Sequence, residues 1–178
     1  MLPPGSSYEN PRNGARLEVL EMTPEKLRFE RLYKPRTGLA DPHLHLDFAH
    51  SWEVLDGRCR YQLGRTEHDL GPGQSAAIQT GTPHRDLYNP FDQEARARFH
   101  ITPCNAFVEN FFETLVWLFE HGKLDEQERF SQLQLFVILH ETDAQSYAAG
   151  PPIWLQKAAL PLLAAIGRRR GYKARYDS

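Results

Sequence analysis

The residues best suited to chemistry are the imidazoles of the stretch "DPHLHLDFAHSWEVLDG", which sets His43, His45 and His50 inside eight positions of a chain that has eight histidines in all. Alternate residues of a strand point to one side, so His43 and His45 would present two rings together while Leu44 and Leu46 turn toward the other layer. His50 follows a short bend and begins the next strand, where it shares a face with Trp52 and Val54. His84 comes much later, after "IQTGTP", and only a folded sheet brings it back beside the first three. Clustered imidazoles suit iron, zinc, copper or nickel better than magnesium or calcium. Paired histidines also occur as solvent-facing or hydrogen-bonded residues, and both readings stand at this point. His68 is expected on an outward strand face, His121 and His140 in a helical tail, and His100 near a strand end within reach of the site or the core.

Strands must position these residues. "ARLEVLEM" (Ala15 to Met22) and "KLRFERLY" (Lys26 to Tyr33) alternate apolar and polar residues, the pattern of strands with one buried face. Shorter runs follow at His43 to Phe48, Ser51 to Leu55, Arg58 to Leu63, Glu67 to Leu70, Ser75 to Ile78, His84 to Tyr88 and Ala95 to Ile101. "LDGR", "GPG" and "GTP" between them supply the chemistry of tight turns. Many short strands at near-even spacing predict an antiparallel sandwich or barrel. Beyond Pro103 the period becomes helical. Phe107, Phe111, Leu115 and Leu118 form an apolar stripe that ends by Gly122, a second helical run covers Glu126 to Thr142, and a third follows Pro151-Pro152 to about Arg170, kinked or divided at Pro161.

With 178 residues the chain is the size of one ordinary domain. A formal net charge of -2 gives no electrostatic case for a nucleic-acid partner. Cys59 and Cys104 lack CxxC spacing, and the start of the chain lacks a basic segment followed by an apolar run, so a reducing cytoplasm is expected. The run Ile153 to Ile166 is interrupted by Gln156, Lys157 and Pro161 and is too short for a dependable span, so no stable membrane insertion is expected. The tail is expected to bury its apolar face on the strands or across a homodimer and to leave Arg168, Arg169 and Arg170 in water; contact of this basic patch with an anionic membrane is the weaker reading.

The segment Gly38 to Pro90 resembles the two motifs of the cupin superfamily. Gly38, His43, His45 and Gly57 match the first motif, but His50 stands where the family carries a glutamate. Gly73, Gly81 and His84 match the second, with Gln79 at its proline, Tyr88 at its distal asparagine and Asn89 one place late. The likeness covers about Leu27 to Ile101, and the helical tail is similar to that of a group of bacterial cupin-domain proteins with no agreed reaction. The resemblance implies a mainly β fold, an antiparallel cupin β-barrel (double-stranded β-helix, jelly roll) with C-terminal α-helices. The change of pattern near Ile101 to Asn105 divides the chain into the barrel with its N-terminal strands at 1–103 and the helical extension, expected to pack on the barrel or a partner subunit, at 104–178. The resemblance also implies one divalent transition metal per chain (iron, manganese, zinc, nickel or copper) on His43, His45, His50 and His84. Glu53 or Asp47 could instead supply the missing carboxylate.

Catalysis would need an open coordination position and an acid or base nearby. The candidates are Asp86 and Tyr88, read as sharing a strand face with His84, together with Glu53. Arg60 and Arg98 could pair with a substrate carboxylate. The leading expectation is a metal-dependent enzyme acting on a small chelating molecule, a dioxygenase-like oxidoreductase favoured over an isomerase. The alternative is a cupin that binds a small molecule without turnover, as a sensory module. "GPGQSAAIQTG" lacks the lysine of a phosphate loop, and there is no G-x-S-x-G or HExxH motif.

Overall fold

A computed structural model of the chain describes residues 1–129 and 131–176. Ten strands come first: β1 (Ser7–Glu9), β2 (Arg16–Thr23), β3 (Lys26–Tyr33), β4 (His43–His45), β5 (Ala49–Asp56), β6 (Cys59–Leu63), β7 (Thr66–Leu70), β8 (Ser75–Ile78), β9 (His84–Tyr88) and β10 (Ala95–Thr102). Helices α1 (Ala106–Glu120) and α2 (Gln132–Glu141) follow, then β11 (Ser146–Ala148) and α3 (Ile153–Arg169). β1 and β11, three residues each, are too short to show alternation in sequence.

The strands build two antiparallel sheets, one in the order β1-β2-β3-β10-β5-β8 and the other β11-β4-β9-β6-β7. This corrects the expected barrel. Among the described residues no strand of one sheet pairs with a strand of the other, so β1, β8, β11 and β7 remain edges and neither sheet closes. Closure requires a continuous, staggered ladder around the ring. Here the ladder stops at the bend Leu46–Asp47, and β4 and β5, consecutive in sequence, enter different sheets. The closing glycine of the first motif serves this layout: Gly57 sits at φ +72°, and a Cβ there would collide with the Glu94 carbonyl oxygen and lie 2.8 Å from Ala95 Cα.

The inward side chains of the six-stranded sheet, Leu17, Val19, Leu27, Phe29, Trp52, Val54, Ala97, Phe99 and Ile101, form the core. Helix α1 joins it: Phe29 stacks on Phe99 at 4.6 Å and meets Phe112 at 4.8 Å. The Asn105 side chain caps α1 by accepting from Val108 N, and its amide donates to Asp47 Oδ2 at 2.9 Å, fixing the helix start beside the Leu46–Asp47 bend.

Two helical expectations need correction. α2 begins at Gln132 rather than near Glu126 because Asp125 Oδ1 accepts from the amides of Gln127 and Arg129, turning the chain. Glu128, at φ +62°, is thereby buried and meets Arg31 at 2.6 Å and Asn13 at 2.8 Å. Pro161 does not divide α3, which runs unbroken from Ile153 to Arg169. Pro161 is exposed, so water can satisfy the Lys157 carbonyl that it leaves without an amide donor.

Candidate metal centre

β4 projects His43 and His45 toward the space between the sheets. It is flanked on one side by β11, with Ser146 opposite His45 and Ala148 opposite His43, and on the other by β9, with His84 opposite His43. The sheet that holds the histidines therefore takes an edge strand from the far end of the chain. After the bend, β5 crosses in the other sheet and returns His50 to the same space. His45 and His84, His45 and His50, and His50 and His84 have ring centroids 4.9, 4.8 and 4.8 Å apart, and His43 lies 4.5 Å from His84.

Backbone carbonyls orient three of the rings. Nδ1 of His43 lies 2.9 Å from the Asp41 oxygen, Nδ1 of His45 2.6 Å from that of Phe48 and Nδ1 of His84 2.7 Å from that of Thr82. A carbonyl oxygen only accepts, so each Nδ1 carries the proton and donates. In the neutral ring each Nε2 is then a bare lone pair, the ligand form of imidazole.

Nε2 of His45, His50 and His84 and Oδ1 of Asp86 are buried without a hydrogen-bond partner among the described residues. Buried polar atoms are nearly always satisfied, and four orphans converging on one point mark a missing common partner. Asp86 Oδ1 stands 3.5 Å from Nε2 of both His50 and His84, and Oδ2 stands 3.7 Å from Nε2 of His43. Adjacent ligands bound at about 2.1 Å from one ion are separated by about 3.0–3.5 Å, so these spacings fit the edges of a coordination shell. His43, His45 and His84, and His50, His84 and Asp86, form two candidate ligand groups that share His84. They are consistent with one divalent metal site per chain. The nitrogen-rich set with a single carboxylate fits a transition ion.

The electrostatics agree. Burial pushes His45 down to about 4 and His50 down to about 3, with the neighbouring imidazoles adding to the effect, so both are neutral at pH 7. Burial alone would raise the Asp86 carboxyl, but His43, His50 and His84 more than offset it and hold the group well below the usual carboxylate range. Burial alone would lower His84, yet its contact with Asp86 raises it. The side chains of His43 and Asp86 are 25% and 34% exposed, against 6% for His50 and 0% for His84, so the centre faces solvent on the His43–Asp86 side.

The carboxylate in the candidate ligand groups is Asp86 of β9, two residues past His84. Asp47 is engaged with Asn105, and Glu53, which alternates with His50 and Trp52, turns to the outer face 3.6 Å from Arg98. Tyr88 does not share a face with His84. The register of β6 and β9 slips by one residue, placing Arg60 opposite Tyr88, Gln62 opposite Arg85 and Leu63 opposite His84. That bulge reverses the alternation, and the Tyr88 hydroxyl donates to Glu67 Oε1 on the outer face. Arg60 and Arg98 are engaged by Asp69 and Glu30, and His100 meets Thr102 on the exposed side. His68, read as outward-facing, stacks on Tyr61 at 5.1 Å. Tyr61 meets Trp52 at 5.6 Å and Trp52 meets His50 at 4.8 Å, so aromatic rings lead away from the centre.

The family profile described as "Cupin domain" matches residues 30–101, the segment that contains every one of these candidate ligands. The chain carries a single cupin domain. To it is added the C-terminal helical extension. No curated protein matches the sequence. A Klebsiella pneumoniae protein with a double-stranded β-helix domain is similar at 23% identity and TM-score 0.46, over 56% of this chain and 86% of that one. KdgF from a Halomonas species is similar at 17% identity and TM-score 0.46, over 54% and 86%. A cupin-superfamily sugar phosphate isomerase from Silicibacter pomeroyi is similar at 18% identity and TM-score 0.43, over 49% and 59%. The activity named among these proteins is an isomerase and none is named as a dioxygenase, so the expectation of a dioxygenase-like oxidoreductase is corrected.

Proposed function

We propose that the cupin domain holds one divalent transition metal between its sheets through His43, His45, His84 and Asp86, with His50 as a fifth ligand. In this reading the centre binds a small organic molecule that presents an oxygen donor. The convergence of the unpartnered Nε2 and Oδ1 atoms on one point carries the proposal. When bound, such an ion supplies Lewis acidity to a carbonyl or carboxylate oxygen. The chain's own groups do the rest. The Asp41, Phe48 and Thr82 carbonyls hold each Nδ1 proton in place. Asp86 offsets part of the ion's charge, and Trp52 and Tyr61 offer an apolar wall to the bound molecule.

A second reading, binding without turnover, is favoured by one observation. Of the three acid–base candidates only Asp86 reaches the centre, and there it faces the imidazoles; Tyr88 and Glu53 lie on outer faces. A cytoplasmic setting belongs to the proposal, supported by two free, buried cysteines. So does a homodimer formed through the outer face of the six-stranded sheet, where Arg98 lies between Glu30 and Glu53 in a self-complementary mix of charge.

Metal analysis of tag-free protein reconstituted separately with iron, manganese, zinc, nickel and copper tests the central claim. One equivalent per chain, with nitrogen-dominated X-ray absorption at the metal edge, is the expected result. Absence of stoichiometric metal in every case would overturn it. Light scattering reads the dimer.

A further inference from the structure

Helix α3 has two apolar faces, and α2 covers one of them. Ala164 and Gly167 are the buried residues of α3, and a side chain at Gly167 would stand 2.7 Å from Val137 Cγ2 and 2.8 Å from the Leu133 carbonyl oxygen. Opposite this contact, Trp154 is 71% exposed, Leu155 47%, Leu162 67% and Ile166 36%. Trp154, Ala158, Leu162 and Ile166 recur every four residues and therefore line one side of the helix. Scattered exposed leucines need no explanation, but a contiguous stripe ending in tryptophan marks an interaction surface.

Charge decides what that surface meets. Every charged residue of α3 is basic, and Arg170, Lys173 and Arg175 continue the series. Arg168 is held by Glu141 at 2.8 Å, Arg175 by Glu113 at 2.8 Å, and Lys157 lies over the Tyr147 ring. Arg169 and Arg170 are exposed and have no acidic partner among the described residues. A second copy packed on the stripe in either direction would set like charges together, because α3 carries no carboxylate. An anionic partner is required. Seventeen residues make a rod of about 25 Å, with tryptophan and leucine on the free face and basic residues beside and beyond it, the design of a helix that lies in a lipid headgroup layer.

We propose that the free face of α3 docks on an anionic phospholipid bilayer, with Trp154, Leu155, Leu162 and Ile166 entering the headgroup layer and Arg169 and Arg170 meeting lipid phosphates. The contact is peripheral, since no described helix is long and apolar enough to cross a membrane. It would also orient the metal centre. Gln156 accepts from Ala148 N at 2.8 Å and donates to Ala148 O at 3.0 Å, joining α3 to β11, the strand beside His43 and His45. The docking rests on none of the metal chemistry.

Vesicle co-sedimentation of the full chain tests it, comparing phosphatidylcholine alone with phosphatidylcholine carrying roughly one-third phosphatidylglycerol. Retention is expected on the anionic vesicles only, lost in high salt, with a blue shift of tryptophan emission. Leu162→Glu and the pair Arg169→Glu, Arg170→Glu should each lower the partition coefficient at least about tenfold while leaving circular dichroism and melting unchanged. The proposal is overturned by no retention on anionic vesicles, or by retention that neither variant alters. An oligomer in light scattering that Leu162→Glu dissociates would also overturn it, since the stripe would then be a self-interface.

Discussion

The two sheets of this molecule divide the work unequally. The six-stranded sheet has four strands of eight residues, supplies most of the core and gives one imidazole, His50, to the centre. The five-stranded sheet has strands of three to five residues, one of them bulged, and gives His43, His45, His84 and Asp86. The long strands alternate over most of their length and shift register only between Val19 and Glu21 and between Arg96 and Ala97, away from the centre, which leaves little room to re-aim a side chain there. Short strands interrupted by a bend and a bulge bring several polar groups to one point, and the larger sheet bears the stability that this requires. A metal at the centre would bridge the two.

The sharpest way to break this contrast is His84→Ala, which removes the ligand common to both groups. Metal affinity should fall at least about 100-fold by calorimetric titration, with secondary structure intact. Asp86→Asn keeps the shape and removes the charge, and a loss of about 10- to 100-fold is expected, read the same way. His50→Ala should cost less, about tenfold; a loss equal to that of His84→Ala would make the large sheet an equal partner and end the asymmetry.

Acidification sharpens it further. His45 and His50 have folded values near 4 and 3, below the ordinary histidine value of about 6.5, so between these limits the unfolded chain binds protons that the folded chain refuses. Stability from these two groups is fully present above pH 6.5 and is lost as pH falls. The raised His84 opposes this in part. The melting temperature of the metal-free chain should drop by on the order of 5–10 °C between pH 6.5 and 4.5 in a calorimetric scan. The smallest effect belongs to Tyr88→Phe. It should cost about 0.5–1.5 kcal/mol in chemical denaturation through the lost bond to Glu67 and leave metal content unchanged.

Much of the scaffold was legible in the sequence because β2, β3, β5 and β10 alternate over most of their length, and His43 and His45 declared a common side by their spacing. The same alternation, applied strictly, places Glu53 opposite His50. Tyr88 was out of reach, since a bulge changes parity without changing composition. Asp86 was visible as a candidate acid but not as the carboxylate facing three imidazoles, because that depends on the inter-sheet distance and not on any local pattern. The separation of β4 from β5 into different sheets, which opens the expected barrel, likewise follows from pairing across long sequence distances.

The three residues of β11 give the molecule an order of assembly. His43 and His45 emerge early from the ribosome, but the strand that covers their outer edge is translated about one hundred residues later. Until then, β4 is an uncapped edge with two histidines on it. The candidate centre is begun by the first half of the chain and finished only when the last third has folded back.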